Sequence, residues 1–274
     1  MKARIIILLA LLLALGGALL FCIAPNTGRG EEMAPFQGVY IAHRGLFDNA
    51  GDAPENSLPA FRLAVEAGYG VELDVQMTTD GKLVVFHDKS LLRMCGVDRA
   101  LTECSYEQLR QYTLLDTGEH IPLLDQALEA MGGRVPLVVE IKSDGDWLTT
   151  SQRTAERLDT YEGVYCIESF HPMVVEWFRQ NRPQVLRGQL ADDFFRYEEE
   201  MSLVRKVVLS NLLLNFRSRP DFIAYNFRHA DQPVYRLCRT LFPVVNVAWT
   251  PRSPEELEQA KEVFSVFIFD SFRP

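Results

Sequence analysis

The sequence predicts a (β/α)₈ barrel, and three observations lead to that fold class. After residue 38 the chain alternates short β-rich runs with helix-like stretches, the pattern of a parallel sheet covered by helices. Nine strand candidates reduce to eight parallel ones when one adjacent pair is assigned to a hairpin. The segment 39–274 has the length of a typical barrel, about 250 residues, and 17 Phe, 9 Tyr and 47% hydrophobic residues provide a core.

The strand candidates are runs rich in Val, Ile, Leu and aromatic residues. They are Val39–Arg44, Val71–Gln76, Leu83–His87, Leu137–Lys142, Val164–Ser169, Val185–Leu190, Phe222–Asn226, Val244–Trp249 and Val266–Asp270. Four helices begin at recognisable cap or proline signals. They are Leu58–Ala67, Leu123–Met131, Pro172–Gln180 and Pro254–Phe264.

The second and third strand candidates are too close in sequence to run parallel. Six residues, MTTDGK, separate them, whereas a parallel crossover needs a dozen or more. Asp80-Gly81 predicts a two-residue hairpin turn, which would place Asp74 opposite His87. The alternative is a doubly wound open sheet, but no G-x-G-x-x-G follows the first strand to indicate a dinucleotide site.

Charge is distributed unevenly along the chain. Residues 1–30 contain Lys2, Arg4 and Arg29 and no acid, although the formal net charge of the whole chain is −9. The rest of the chain is therefore strongly acidic. This balance argues against nucleic acid as a partner, because binding to its phosphate backbone requires a basic face.

The basic head is a predicted membrane segment. Residues 5–24 carry no charge, and a helix of that length spans the ~30 Å hydrocarbon core of a bilayer. We predict a transmembrane helix within 1–24, a linker over 25–38 and the barrel over 39–274. The positive residues before the helix favour a cytoplasmic N-terminus and an extracytoplasmic barrel. The alternatives are a cleaved signal peptide, which would release a secreted domain, and a lipoprotein signal ending at Cys22.

Polar residues cluster where predicted strands end, which is where barrels place their active sites. The second and fourth strand candidates each present two ionisable residues spaced i, i+2, so that both lie on one face. The candidate site residues are His43, Arg44, Glu72, Asp74, His87, Glu140 and Lys142. Trp249, at another strand end, is a candidate aromatic wall of the substrate pocket.

These residue types indicate phosphodiester cleavage. Three carboxylates facing one another repel unless a cation lies between them, and Mg²⁺ or Ca²⁺ prefers oxygen ligands. Arg44 and Lys142 suit a phosphate, and two histidines suit acid/base catalysis. Each residue alone also has a structural interpretation, as an ion pair or a hydrogen-bonded core histidine. Their convergence at one rim favours the metal-assisted reaction.

The sequence resembles the glycerophosphodiester phosphodiesterase family over residues 39–274. The resemblance is carried by short motifs in the family's order and spacing. They are His43-Arg44-Gly45, Pro54-Glu55-Asn56-Ser57, Glu72-Leu73-Asp74-Val75, Thr79-Asp80-Gly81, Val85-Phe86-His87-Asp88 and Val139-Glu140-Ile141-Lys142. Ser57 stands where Thr is frequent, and the last strand lacks the family's Gly-rich ending, so the resemblance assigns no role to that strand.

The resemblance implies a barrel that hydrolyses glycerophosphodiesters to an alcohol and sn-glycerol 3-phosphate with one divalent cation. By motif position it implies roles for individual residues. These are metal ligation by Glu72, Asp74 and Glu140, acid/base catalysis by His43 and His87, phosphate contacts by Arg44 and Lys142, and lining of the site by Glu55 and Asn56.

Two other functions remain as alternatives to that expectation. One is a lysophospholipase D-like phosphodiesterase acting on lysophospholipids, and the other is a catalytically inactive, membrane-tethered binding barrel. Residues 191–221 bear on the choice because they mix apolar and basic side chains. We expect an outer barrel helix facing the core there, and contact with anionic lipid headgroups is the alternative.

Overall fold

The fold is a closed barrel of eight parallel strands, seen in a computed structural model that describes residues 2–198 and 201–274. The strands are β1 Tyr40–Ala42, β2 Gly70–Met77, β3 Leu83–Val85, β4 Leu137–Ile141, β5 Tyr165–Ser169, β6 Leu186–Ala191, β7 Phe222–Asn226, β8 Val245–Trp249 and β9 Val266–Phe269. The sheet order is β1-β9-β8-β7-β6-β5-β4-β2-β3, and a further parallel pairing of β1 with β2 closes the barrel. The predicted fold class is confirmed.

Helices follow most strands and cover the outside of the barrel. The α-helices are α1 Lys2–Ile23, α2 Leu58–Glu66, α3 Leu92–Cys95, α4 Tyr106–Leu109, α5 Leu124–Met131, α6 Trp147–Leu158, α7 Pro172–Asn181, α8 Leu203–Ser210, α9 Asn215–Ser218, α10 Pro233–Leu241 and α11 Pro254–Lys261. Short 3₁₀ turns are Gly30–Phe36, Leu101–Glu103, Phe194–Arg196 and Phe227–His229. Ser57 caps α2 by accepting from the amide of Ala60, as its sequence signal predicts.

The hairpin forms as predicted, but its turn differs by one residue. β3 pairs with β2 antiparallel, with Met77 opposite Leu83, and the Thr78 amide donates to the Lys82 carbonyl. The loop therefore has three residues, with Gly81 in the left-handed region at φ 75°, a conformation that favours glycine. The expectation that Asp74 faces His87 is wrong, because the Phe86 amide donates to the Asp74 carbonyl.

The barrel interior is apolar below the rim. Side chains from β1 and from each of the strands β4 to β9 form one buried cluster with Met33 and Phe36. These two belong to the 3₁₀ turn just before β1, so they close the end of the barrel opposite the rim. The predicted linker 25–38 is thus packed against the barrel rather than extended, because it carries two large apolar side chains.

α1 is long and apolar enough to cross a membrane, by its length and composition. Its last turn is joined to the barrel. Ile23 is buried, and its carbonyl accepts from the side-chain Nδ2 of Asn215 at 3.0 Å. The Phe21 ring lies 5.5 Å from that of Phe216, and the Ala24 carbonyl accepts from Arg219 at 2.9 Å. The end of the helix therefore has a fixed position on α9.

Candidate active site

The predicted strand-end residues meet at the carboxyl rim of the barrel. A cavity of about 120 Å³ lies there. Among the residues that line it are His43, Arg44, Glu72, His87, Glu140, Glu168, Phe170, Trp249 and Arg252. A wider opening of about 930 Å³ beside it is lined in part by His87, Lys142 and Phe170. Asp74, Glu55 and Asn56 are not among the residues that line this cavity. They form ion pairs or hydrogen bonds with Arg44, which does line it.

Three carboxylates form the centre of the site. Each of Glu72, Asp74 and Glu140 offers an oxygen within 4.8 Å of the others, and all three are buried. Asp74 and Glu140 lie on neighbouring strands at the same register, which explains their approach. Lys142 Nζ lies 2.8 Å from an oxygen of each of these two.

The electrostatics of this group fit a cation. Burial, together with the charges of Asp74, Glu140 and Glu168, raises the pKa of Glu72 well above its usual range. Burial also raises the pKa of Glu140. Mg²⁺ and Ca²⁺ prefer oxygen ligands such as carboxylates, so these three residues are suited to hold one.

Asp74 is the carboxylate most firmly held as an anion. Burial alone would raise its pKa, but Lys142, His87 and Arg44 hold it well below the usual range. Asn56 donates to its Oδ2 at 2.7 Å. The backbone N–H of Asn56 donates to the Arg44 carbonyl, and both residues have positive φ, 58° each. Asn tolerates this left-handed backbone conformation better than most residues. Asn56 can therefore take the loop conformation in which its side chain orients Asp74.

His43 is oriented by a residue that the sequence did not assign. Its Nδ1 lies 3.0 Å from Asp270 Oδ2, so Nε2 is the ring nitrogen available to the cavity. Burial and the nearby Arg44 lower the pKa of His43 to about 4, although Asp270 opposes this. The imidazole is therefore neutral at neutral pH. Asp270 follows the last strand, β9, which pairs with β1. Because the first and last strands of a closed barrel are neighbours, the predicted fold could have placed Asp270 beside His43.

His87 belongs to a second network of ion pairs. Its Nδ1 lies 2.8 Å from Asp88, and Arg93 from α3 donates to Asp88 at 2.6 Å. Arg93 also donates to both oxygens of Glu55, at 2.7 and 2.8 Å, and Arg44 donates to Glu55 at 2.7 Å. Glu55 therefore links the loops that carry the two histidines. Arg93 lies in α3, a one-turn helix within a long insertion, and had no strand-end signal in the sequence.

Glu168 adds a fourth carboxylate that sequence reasoning missed. It lies beside Glu140 in the β4–β5 register, lines the cavity and is 1% exposed. Burial, then the charge of Glu140, raises its pKa well above the usual range. The i, i+2 rule applied to Cys166 and Glu168 would have placed it on the inner face.

A model of the glycerophosphoryl diester phosphodiesterase family matches residues 43–218, more than half of the chain. A glycerophosphodiester phosphodiesterase of Bacillus altitudinis is 30% identical over 165 residues, covering 56% of this chain and 66% of the relative. Lysophospholipase D GDPD1 of Homo sapiens is 32% identical over 155 residues, covering 50% and 48%. The matched part of the chain thus spans 48% to 66% of the length of these relatives.

Solved structures share the fold. A phosphodiesterase of Oleispira antarctica, determined with the product sn-glycerol-3-phosphate, has a TM-score of 0.69 at 22% identity, covering 86% of this chain and 94% of that one. A glycerophosphodiester phosphodiesterase of Thermotoga maritima has a TM-score of 0.63 at 24% identity, covering 85% and 95%. The family match includes His43, the carboxylate group and Lys142, all at one rim of the barrel. The chain belongs to the glycerophosphoryl diester phosphodiesterase family.

Proposed function

We propose that this protein hydrolyses glycerophosphodiesters to an alcohol and sn-glycerol 3-phosphate. The observation that carries the proposal is the cavity in which two histidines and buried carboxylates converge. The names of the relatives, and the product bound to the Oleispira structure, support this substrate class. The experiment is a panel of purified glycerophosphodiesters with different headgroups, assayed for glycerol 3-phosphate with Mg²⁺ or Ca²⁺. Failure to cleave any of them would contradict the proposal.

Glu72, Asp74 and Glu140 would hold the divalent cation. When bound, such an ion neutralises charge on the phosphate and polarises its oxygens. Arg44 and Lys142 place two further positive charges at the same end of the barrel, suited to the non-bridging phosphate oxygens. Trp249 and Phe170, 5.6 Å apart edge to face, form an apolar wall for the carbon skeleton.

The two histidines would divide the proton transfers. His43 is neutral, so its Nε2 can accept the proton of the attacking hydroxyl, which is a neighbouring hydroxyl of the substrate or a water. That oxygen forms a bond to phosphorus as the bond from phosphorus to the alcohol oxygen breaks. His87, oriented by Asp88, donates the proton that the departing alcohol takes. If a cyclic phosphate forms first, water then opens it.

Asp270→Asn tests the role of the His43 partner as a positioning residue. The Asp270 carboxylate favours one tautomer of His43 and raises its pKa, and an amide provides neither effect. We expect kcat to fall by about 10²-fold or more. Since activity needs neutral His43 and is lost as pH falls through its pKa, the acidic limb of kcat/KM should move to lower pH. A smaller kcat with an unmoved acidic limb would contradict this role.

We infer that α1 is retained as a membrane anchor with the barrel on the extracytoplasmic side. The charge-free segment and the preceding Lys2 and Arg4 support this topology. Cleavage at the end of the segment would also remove Ile23, a buried core residue that accepts from Asn215. The mature protein should therefore keep its N-terminal mass and stay in membranes after carbonate washing. Recovery of a shortened, released chain would contradict retention.

Ile23→Ala measures how strongly the anchor is joined to the barrel. Removing a buried Ile side chain should lower the free energy of unfolding by about 2–5 kcal/mol, measured by denaturant in detergent. The matched control is Ile6→Ala, because Ile6 lies on the same helix and is 65% exposed. If both variants unfold alike, the last turn of α1 makes no contribution to the barrel.

A further inference from the structure

Helix α8 presents apolar side chains outward. Leu203 is 69% exposed and Val204 is 72% exposed, and Ser210 is the buried residue of this helix. The expectation that residues 191–221 provide an outer helix facing the core is therefore wrong for α8. Exposed apolar side chains beside basic ones are a feature of binding surfaces.

α8 forms one wall of an apolar groove of about 340 Å³, within the size range of small-molecule sites. The opposite wall is the start of α7. The apolar side chains lining it include Phe170, Met173, Phe194, Val204, Val208 and Leu214. Arg205 and Arg217 also line it, so positive charge lies beside the apolar side chains of the groove.

The groove adjoins the catalytic cavity through the wider opening beside it, which shares Ser143, Phe170 and Phe194 with the groove. Phe170 lines all three spaces, and its ring stands edge-on to Trp249 at 5.6 Å and to Phe194 at 6.1 Å. A ligand whose phosphodiester lies at the carboxylates can therefore extend past Phe170 into the groove.

The groove also adjoins the segment that enters the membrane. Leu214 and Arg217, at α9, line it. Phe216 of the same short helix contacts Phe21 of α1, with ring centroids 5.5 Å apart. One end of the groove therefore lies at α9, the short helix on which the last turn of the proposed anchor packs.

We propose that this groove binds the acyl chain of a single-chain lipid substrate, a lysophospholipid with a phosphodiester headgroup. The inference rests on the proposed function and names its substrate class. A water-soluble glycerophosphodiester has no group to fill the groove. Net hydrolysis would break the bond between phosphorus and the headgroup oxygen. The water oxygen would stay on phosphorus and its proton would leave with the alcohol, giving 1-acyl-glycerol 3-phosphate.

Chain length is the first readout. Lysophosphatidylcholines of increasing acyl length, below their critical micelle concentrations, are compared with glycerophosphocholine, which has the same headgroup. Each methylene buried in the groove should raise kcat/KM by about fourfold, until the groove is filled and the increase stops. Binding of the products, 1-acyl-glycerol 3-phosphate against glycerol 3-phosphate, is measured by calorimetry and should follow the same order without requiring turnover.

Val204→Glu places a charge in the groove at an exposed position, so folding is not at risk. We expect the ratio of kcat/KM for the lysolipid to that for glycerophosphocholine to fall at least 10-fold. Leu203→Glu is the control, since Leu203 is equally exposed on the same helix but does not line the groove. It should keep the wild-type ratio for monomeric substrates.

The outcomes separate the two proposals. Cleavage of glycerophosphocholine with no gain from the acyl chain would overturn the groove assignment and leave the proposed function intact. An equal effect of Val204→Glu and Leu203→Glu would overturn it as well. If the wild type cleaves neither substrate, the proposed function fails, and calorimetry still decides the groove, because equal affinities for the two products would overturn it.

Discussion

Replacing His43 by alanine should lower kcat by a factor of about 10²–10⁴ while the barrel remains folded. Its Nε2 is the neutral nitrogen at the cavity, because burial and Arg44 lower its pKa to about 4. The loss should fall on kcat rather than KM, since the proton is transferred only as phosphorus reacts. His87→Ala should give a loss of similar size, since it removes the proposed acid.

A third histidine provides the matched control. His120 is exposed, and its Nδ1 lies 2.8 Å from the Tyr112 carbonyl outside the site. His120→Ala should keep wild-type kcat. Circular dichroism and thermal melting of all three variants would exclude unfolding as the cause. Retention of more than a tenth of the wild-type kcat in His43→Ala would remove this histidine from the reaction, and with it the proposed division of proton transfers.

The strands were predictable because each is a short run of β-branched and apolar residues between turns. All nine predicted strands overlap the observed ones, with ends differing by up to two residues. The hairpin loop was placed one residue short, because Asp80-Gly81 suits both two-residue and three-residue loops. Only the hydrogen bond from the Thr78 amide to the Lys82 carbonyl shows that the loop has three residues. That shift moved the expected partner of Asp74 from His87 to Phe86.

The candidate site residues that the strand pattern predicted are those that a strand places directly, whereas Glu55 and Asn56, on a loop, were named only through the family resemblance. Glu72, Asp74 and Glu140 follow from the i, i+2 rule. Asp270 and Arg93 were missed for different physical reasons. Asp270 meets His43 only when β9 closes on β1, a contact between residues far apart in sequence. Arg93 reaches Asp88 and Glu55 from a one-turn helix within a long insertion, where no periodic pattern indicates direction.

Packing outside the barrel strands was predicted less well, because it depends on what the neighbouring elements leave uncovered. Residues 25–38 contain Pro and Gly and suggested a tether, yet Met33 and Phe36 fill the open end of the barrel. Residues 203–210 have an amphipathic pattern that normally faces a core. Here α8 lies over a groove instead, and its apolar face is exposed.

Removing divalent metal with EDTA should abolish activity, and Mg²⁺ or Ca²⁺ should restore it. The effect should also appear in stability. In the metal-free protein, burial and the neighbouring acids raise the pKa of Glu72 above its usual value of 4.5. A carboxyl with a raised folded-state pKa stabilises the fold below its unfolded pKa, and that contribution is lost as pH rises through the folded pKa. The contribution of Glu72 to the stability of the metal-free protein should therefore decline as pH rises above about 4.5.

Bound metal should offset this loss. At a metal concentration 100 times its Kd, the free energy of unfolding should rise by about 2.7 kcal/mol. Glu72→Gln removes both a repelling charge and a proposed ligand, so each effect should show in a separate measurement, without metal and with it. We expect this variant to be more stable than the metal-free wild type at pH 8 and to gain little from added metal. Glu129→Gln, at an exposed position on α5, should behave as wild type in both respects. If metal raises the melting temperature of Glu72→Gln as much as that of the wild type, Glu72 is not a ligand. Repulsion among the buried acids would then need a different counter-charge, for which Lys142, already within 2.8 Å of Asp74 and Glu140, is the nearest candidate.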